Sequence, residues 1–140
     1  MASVMQLDIL SPDAYVFTSE NVSYVGAKTT GGGVGIMPRH ATMVATLESA
    51  PLKYRDEQGT AHYLFVDGGF LEVNENKVTI LSVAAETAEG IDAAQAQADL
   101  ERARVKIDNP KAGVDADEAL KNFKRAQARL ETVRLAGVRE

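Results

Sequence analysis

The apolar periodicity of this 140-residue chain changes once, near Ala85, and that change restricts its possible folds more than any other feature. Ahead of it the pattern is alternating and short. Met5, Leu7 and Ile9 alternate with Gln6 and Asp8, and Val78 and Ile80 flank Thr79. Seven of the eight aromatic residues, eight of the eleven glycines and every proline except Pro110 lie in this stretch, a composition that favours strands and tight connections. Turn-forming clusters such as Ser11-Pro12-Asp13, Asp56-Glu57-Gln58-Gly59, Asp67-Gly68-Gly69 and Asn74-Glu75-Asn76 divide it into about ten short strands. So many strands in so short a span bury a core only by closing face to face.

Beyond Glu86 the spacing becomes helical. Ala96, Leu100, Ala103 and Ile107 form one stripe, and Ala119, Phe123, Ala126, Leu130 and Val133 form another. Asp92 with Gln95, and Asp115 with Glu118, have the spacing of capping boxes, in which a side-chain oxygen satisfies an orphan amide of the first turn. Between the stripes, Asn109-Pro110-Lys111-Ala112-Gly113 breaks the helix and lets the chain fold back. The expected class is therefore α+β: an N-terminal antiparallel β-sandwich over residues 1–86, followed by a C-terminal two-helix antiparallel hairpin over residues 87–140. Both stripes are narrow and rich in alanine, so packing one on the other releases little free energy at about 25 cal/mol per Å². The hairpin should depend on what it touches.

Charge divides along the same line. The chain carries −5 overall, an acidic balance that disfavours wrapping a nucleic-acid backbone. Its last twenty residues nevertheless hold Lys121, Lys124, Arg125, Arg129, Arg134 and Arg139 against only Glu131 and Glu140, a local +4 beside −9 for the rest. A solvated face is the ordinary explanation of such a run. A cationic helix joined to an anionic body by a weak hairpin can also leave for a more acidic partner surface. No cysteine is present, which suits a reducing compartment. No apolar run approaches the ~18 residues of a membrane helix, and the first residues lack the basic and apolar regions of a signal peptide, so a soluble intracellular protein is expected.

Catalytic chemistry finds few candidates. The glycine run from Gly31 to Gly35 lacks the Lys-Ser/Thr pair and helix start of a phosphate loop, since Ile36-Met37-Pro38 follows; a tight connection or close backbone approach to a partner is the better reading. His40 and His62 could ligate a metal with carboxylates, as in a cupin-like metalloprotein, but such clusters bring more ligands at shorter spacing. No serine elbow or paired-carboxylate motif is present, and an enzyme is not expected.

The segment Gly32-Gly33-Val34-Gly35-Ile36-Met37-Pro38-Arg39-His40-Ala41 resembles the Gly-x-x-Gly-Ile-x-Pro-x-His-Ala signature of the epsilon subunits of bacterial and plastid F-type ATP synthases, equivalent to the mitochondrial delta subunit. Val66-Asp67-Gly68-Gly69-Phe70-Leu71-Glu72-Val73, followed by Val78-Thr79-Ile80-Leu81, resembles the second signature of that family, and the likeness runs over almost the whole chain. It implies a non-catalytic central-stalk subunit of a proton- or sodium-translocating ATP synthase, peripheral on the cytoplasmic face of the bacterial plasma membrane or the stromal face of the thylakoid. Its sandwich would pack on the gamma subunit and on the membrane rotor ring of c subunits, with Gly31, Gly32, Gly33, Gly35, Pro38, Arg39, His40, Ala41 and Thr42 toward the ring. Gly33 stands where the family often carries an acidic or amide side chain. The hairpin would either fold down beside the sandwich or extend along gamma, and when extended bring Lys121, Lys124, Arg125, Arg129 and Arg134 against the alpha and beta catalytic subunits, inhibiting ATP hydrolysis. Some members bind ATP in the folded hairpin. The residues at matching positions are Glu86, Ile91, Asp92, Arg102, Arg125 and Arg129, but Gln95 replaces the arginine of the Ile/Leu-Asp-x-x-Arg-Ala motif and weakens such a site. An ATP-sensing regulatory module is thus the alternative function.

Overall fold

The computed structural model describes residues 3–109, 111 and 115–137. Seven strands precede two helices: β1 Met5–Ser11, β2 Ala14–Thr29, β3 Gly32–Ile36, β4 Met43–Asp56, β5 Ala61–Asn74, β6 Lys77–Leu81, β7 Ala85–Thr87, α1 Ala93–Asp108 and α2 Ala116–Ala136. The sheet runs β1-β6-β5-β4-β2-β3, and β1 also pairs with β2, so five strands close into a ring with β3 outside it. Four of the five ring pairs are antiparallel, while β1 and β6 run parallel from Gln6↔Lys77 to Leu10↔Leu81. An odd number of strands cannot alternate direction around a closed ring, so one parallel pair is a geometric necessity. Leu7, Ile9, Val22, Val25, Leu52, Leu71 and Ile80 fill the interior and are almost wholly inaccessible; the alternation read for β1 and β6 points Leu7, Ile9 and Ile80 inward.

The count of seven, against about ten expected, has one cause. Three long strands each absorb two expected short ones: β2 joins the segments around Tyr15 and Tyr24, β4 those around Leu47 and Leu52, and β5 those around Phe65 and Phe70. Such strands serve both layers. The N-terminal half of β5 pairs with β7 and its C-terminal half with β6, while β4 runs beside both halves. Asp67-Gly68-Gly69 is thus a bend within a strand, with Gly68 at φ 69° and Gly69 at φ 107°, rather than a chain reversal. Pro51 sits inside β4 without breaking it, because the β2–β4 register is irregular between Gly26 and Thr29 and demands no ladder amide there.

The helices begin where the capping spacing places them. Asp92 accepts from the Gln95 amide at 3.0 Å, and Asp115 accepts from the Asp117 and Glu118 amides at 3.0 and 3.1 Å. The reciprocal half of the first capping box does not form, since the Gln95 carboxamide turns along the helix to Asp99 at 2.9 Å. Ala96 and Ala103 meet Ala119 and Ala126 at the buried seam; Leu100, Phe123, Leu130 and Val133 are half-buried, and Ile107 is exposed. Pro110, Ala112 and Gly113 of the breaker cluster lie outside the described residues, as do Arg139 and Glu140.

Candidate functional site

The helical hairpin lies against the sandwich, and the contact is both apolar and ionic. Ala128 of α2 packs on Phe65 of β5 and on Ile91, with Val133 alongside. Thr132 is also buried, its hydroxyl donating back to the Ala128 carbonyl at 2.8 Å. This second face of α2 was not legible as a stripe because alanine and threonine carry it. Above this small core, Arg129 grips Glu86 with two parallel bonds, Nε to Oε2 at 2.8 Å and Nη2 to Oε1 at 3.0 Å, and its remaining Nη1 stands 3.8 Å from Asp99 of α1. One turn earlier Arg125 donates from Nε to Asp67 Oδ2 at 2.8 Å. The other oxygen of Asp67 accepts from the Ser49 hydroxyl, which fixes the carboxylate on the β5 bend.

The five cations expected to act together are therefore divided. Arg125 and Arg129 are committed to the sandwich. Arg134 pairs with Glu131 on its own helix, and this bond outweighs burial to hold the Glu131 carboxyl below its usual range. Lys121 and Lys124 stand exposed. A bidentate arginine–carboxylate pair, half removed from water, contributes roughly 1.5–3 kcal/mol; the more exposed Arg125–Asp67 pair contributes at most about 1 kcal/mol.

The residues matched to an ATP site are brought together in part. Arg102, Arg125 and Arg129 converge with Lys106, Asn122 and Asp99 on a cleft of about 220 Å³ between α1 and α2. Four cationic side chains line it, three of them already paired, Arg102 with Asp99 at 3.0 Å, Arg125 with Asp67 and Arg129 with Glu86, so an anion there competes with those carboxylates. Glu86 borders the cleft only through Arg129, Ile91 is buried in the docking core, and Asp92 is occupied as the cap of α1.

The glycine segment forms the β2–β3 hairpin and the connection after it. Gly32 adopts φ 120°, with the Thr29 hydroxyl donating to its carbonyl at 2.6 Å and accepting from the Gly31 amide at 3.1 Å. Gly31, Gly32, Gly33 and Gly35 are all exposed, and of these only Gly35 has a close neighbour: a Cβ there would stand 2.9 Å from the Tyr24 hydroxyl. Pro38 is half-buried; Arg39, His40, Ala41 and Thr42 are exposed. The His40 amide closes a turn onto the Met37 carbonyl at 3.1 Å, and its Nδ1 lies 2.8 Å from the Ala41 carbonyl. His62 is elsewhere, bonded to Asp56 at 2.9 Å and stacked on Tyr54. The two histidines do not converge, and among the described residues no group of three His, Cys, Asp or Glu side chains is placed to hold a metal.

A further surface escaped sequence reasoning. Register aligns Thr46, Phe70, Leu81, Leu10 and Tyr15 in one row across β4, β5, β6, β1 and β2. Phe70, Leu81 and Tyr15 are more than half exposed, as is Val44 two residues from Thr46. A contiguous apolar row of this kind marks a protein contact rather than scattered surface hydrophobes. Its signal is present in the sequence as adjacent apolar pairs, Met43-Val44, Phe70-Leu71 and Ile80-Leu81, because alternation must send one member of each pair outward.

Comparison with known proteins places the chain among the subunits of one enzyme complex. Residues 4–88 match the model of a family described as ATP synthase, Delta/Epsilon chain, beta-sandwich domain. An ATP synthase epsilon chain of Nitratidesulfovibrio vulgaris is 39% identical over 130 residues, covering 93% of this chain and 96% of the relative. One of Staphylococcus aureus is 35% identical over 133 residues, covering 95% and 98%. Among solved structures, a chain in the cryo-EM structure of Euglena gracilis mitochondrial ATP synthase, comprising OSCP, F1 and c-ring in rotational state 1, superposes with TM-score 0.76 at 28% identity, covering 93% of this chain and 82% of that one.

Proposed function

This chain belongs to the delta/epsilon family of ATP synthase subunits, and on that premise we propose how it serves the enzyme. It is an epsilon chain, a non-catalytic subunit of a membrane-associated complex, and no helix among the described residues is long and apolar enough to cross a membrane. In the central stalk the sandwich, residues 1–86, grips the gamma subunit through the apolar row, and residues 31–42 face the polar loops of the c-subunit rotor ring. The assembly sits on the cytoplasmic face of the membrane. The hairpin, residues 87–140, is docked in the arrangement described above. Released, it reaches along gamma and sets Lys121, Lys124, Arg125, Arg129 and Arg134 against acidic segments of the alpha and beta subunits, braking rotation in the hydrolysis direction.

The exposed row of Phe70, Leu81, Val44 and Tyr15 carries this reading, because a rotor subunit must transmit torque through a stable protein contact and apolar burial supplies it without directional bonds. Phe70→Glu places a charge at its centre while leaving the buried side of β5 intact. Co-purification with gamma should then fall about tenfold or more, with an unchanged melting temperature. Recovery of gamma at the unmutated level overturns the assignment of this face.

The cationic cleft between the helices favours one additional property, weak binding of a nucleotide that would steady the docked hairpin. Gln95 is turned to Asp99 and offers the phosphates nothing, so the affinity should be low, with Kd on the order of 1 mM. Calorimetry of the full chain with MgATP is the test; no heat at several millimolar nucleotide removes ATP sensing from this protein.

A further inference from the structure

Among the described residues, three that are not glycine adopt positive φ: Arg39 at 66°, Glu75 at 49° and Asn76 at 62°. Glu75 and Asn76 are the two central residues of the β5–β6 hairpin, closed by the pair Asn74↔Lys77, and a two-residue turn of that hand requires the conformation. Arg39 follows Pro38 at the third position of the turn that the His40 amide closes onto the Met37 carbonyl, where a turn of this kind takes positive φ and glycine is the usual residue. This arginine lies in the connection between β3 and β4, which are not paired with each other but separated in the sheet by β2. An arginine in the left-handed region is disfavoured and persists only where its surroundings hold it there.

Beyond the turn itself, a second hold comes from Asn76, outside the connection. Its Oδ1 accepts from the Arg39 amide at 2.8 Å, and its Nδ2 donates to the Val4 carbonyl at 2.9 Å. The backbone carbonyl of the same residue accepts from the Gln6 amide at 3.1 Å. One side chain thus ties the β3–β4 connection to the β5–β6 turn and to the start of β1. Asparagine suits the position on two counts, since it tolerates the left-handed turn and offers a donor and an acceptor on one short planar group.

We propose that Asn76 is a positioning residue for the ring-facing loop: its carboxamide sets the tip formed by Pro38, Arg39 and His40 in the shape it presents to the rotor. This rests on the reading of residues 31–42 as the rotor-ring surface. A loop fixed before contact loses less freedom on docking and yields less under load.

Asn76→Gly separates this role from support of the hairpin, because glycine accepts the left-handed turn at least as well while both side-chain bonds vanish. The melting temperature of the full chain should hold or rise. Exchange of the Arg39 amide, followed by NMR, should quicken about tenfold, as loss of one ordinary hydrogen bond implies. In vesicles carrying the assembled enzyme, ions pumped per ATP hydrolysed should fall. Asn76→Asp keeps the acceptor for Arg39 and should retain most of that amide's protection. Unchanged exchange at Arg39 in Asn76→Gly overturns the clamp, and faster exchange with unchanged pumping overturns its positioning role. His40→Ala in the same pumping assay tests the underlying reading separately. A fall in His40→Ala alone defeats the clamp, whereas no change in either variant defeats the ring-facing assignment with it.

Discussion

Removing residues 87–140 should raise ATP hydrolysis by the assembled enzyme about fivefold or more, while ions pumped per ATP hydrolysed should stay near the unmutated value. The size is that of an ordinary coupling free energy between two states of a regulated complex. The sign follows from where the cations of α2 sit. Arg125 and Arg129 are bound to Asp67 and Glu86 when the hairpin is docked, so they cannot also engage the alpha and beta subunits. On the proposed reading, docking and braking compete for the same guanidinium groups. On that reading truncation removes the brake together with its latch, and the sandwich keeps the apolar row and glycine-rich loop proposed to couple rotation. Cutting only the latch has the opposite effect. Glu86→Gln leaves α2 whole but deprives Arg129 of its bidentate partner, which shifts the hairpin toward the released form and lowers hydrolysis. The docked state rests on the small core of Phe65, Ile91 and Ala128 and a few kcal/mol of charge-assisted bonding, so loss of one pair moves the population appreciably. Salt should weaken the solvent-open Arg125 pair and the proposed braking contacts alike. Hydrolysis unchanged by truncation would remove the inhibitory role, and a rise with Glu86→Gln would remove the competition.

Those ion pairs explain how far the sequence could be read. Local signals carried well: the change of period near Ala85 separates sheet from helix, and Asp92 and Asp115 cap the helices they precede. Each depends on residues within one or two turns. Arg129 and Glu86 are 43 positions apart, and Arg125 and Asp67 are 58 apart. No local spacing announces such a meeting. The charge count showed a cationic α2 beside an anionic body, but not that part of the cationic face is spent on the body itself. The strand count failed for a related reason. A polar or glycine-containing interval reads as a turn, and whether the chain reverses or merely bends there is decided by the neighbours across the sheet. The register of β4 with β5 runs without a shift from Met43↔Val73 to Arg55↔Ala61, carrying both strands through the positions where a break was expected.

Replacing Gly69 by alanine should destabilise the protein by about 3–5 kcal/mol, and the reason lies at that bend. A Cβ on Gly69 would stand 2.0 Å from the Leu81 carbonyl oxygen and 2.9 Å from Ser82 Cα. Both are backbone atoms, and neither is free to retreat: Leu81 is laddered to Phe70 and Leu10, and the Ser82 amide donates to the Leu10 carbonyl at 3.0 Å. The φ of 107° adds a further penalty for any residue with a side chain. Strain of about 1–3 kcal/mol from each source, against a total stability of roughly 5–15 kcal/mol, lowers the melting temperature by about 10–20 °C. Gly59→Ala is the control. Gly59 also has positive φ, at 86°, but its Cβ would meet nothing within 4 Å, so the alanine should cost only about 1 kcal/mol. Equal effects of the two substitutions would mean that the β5 bend can relax. The bend also aims the residues on either side of it: Asp67, which holds Arg125, and Phe70, in the apolar row. Whatever fraction of Gly69→Ala remains folded should therefore lose hairpin docking and gamma binding together, whereas Phe70→Glu loses only the second. Within β5 the bend connects the two surfaces, so a Gly69→Ala protein that folds and keeps both would show that β5 does not set their relative placement.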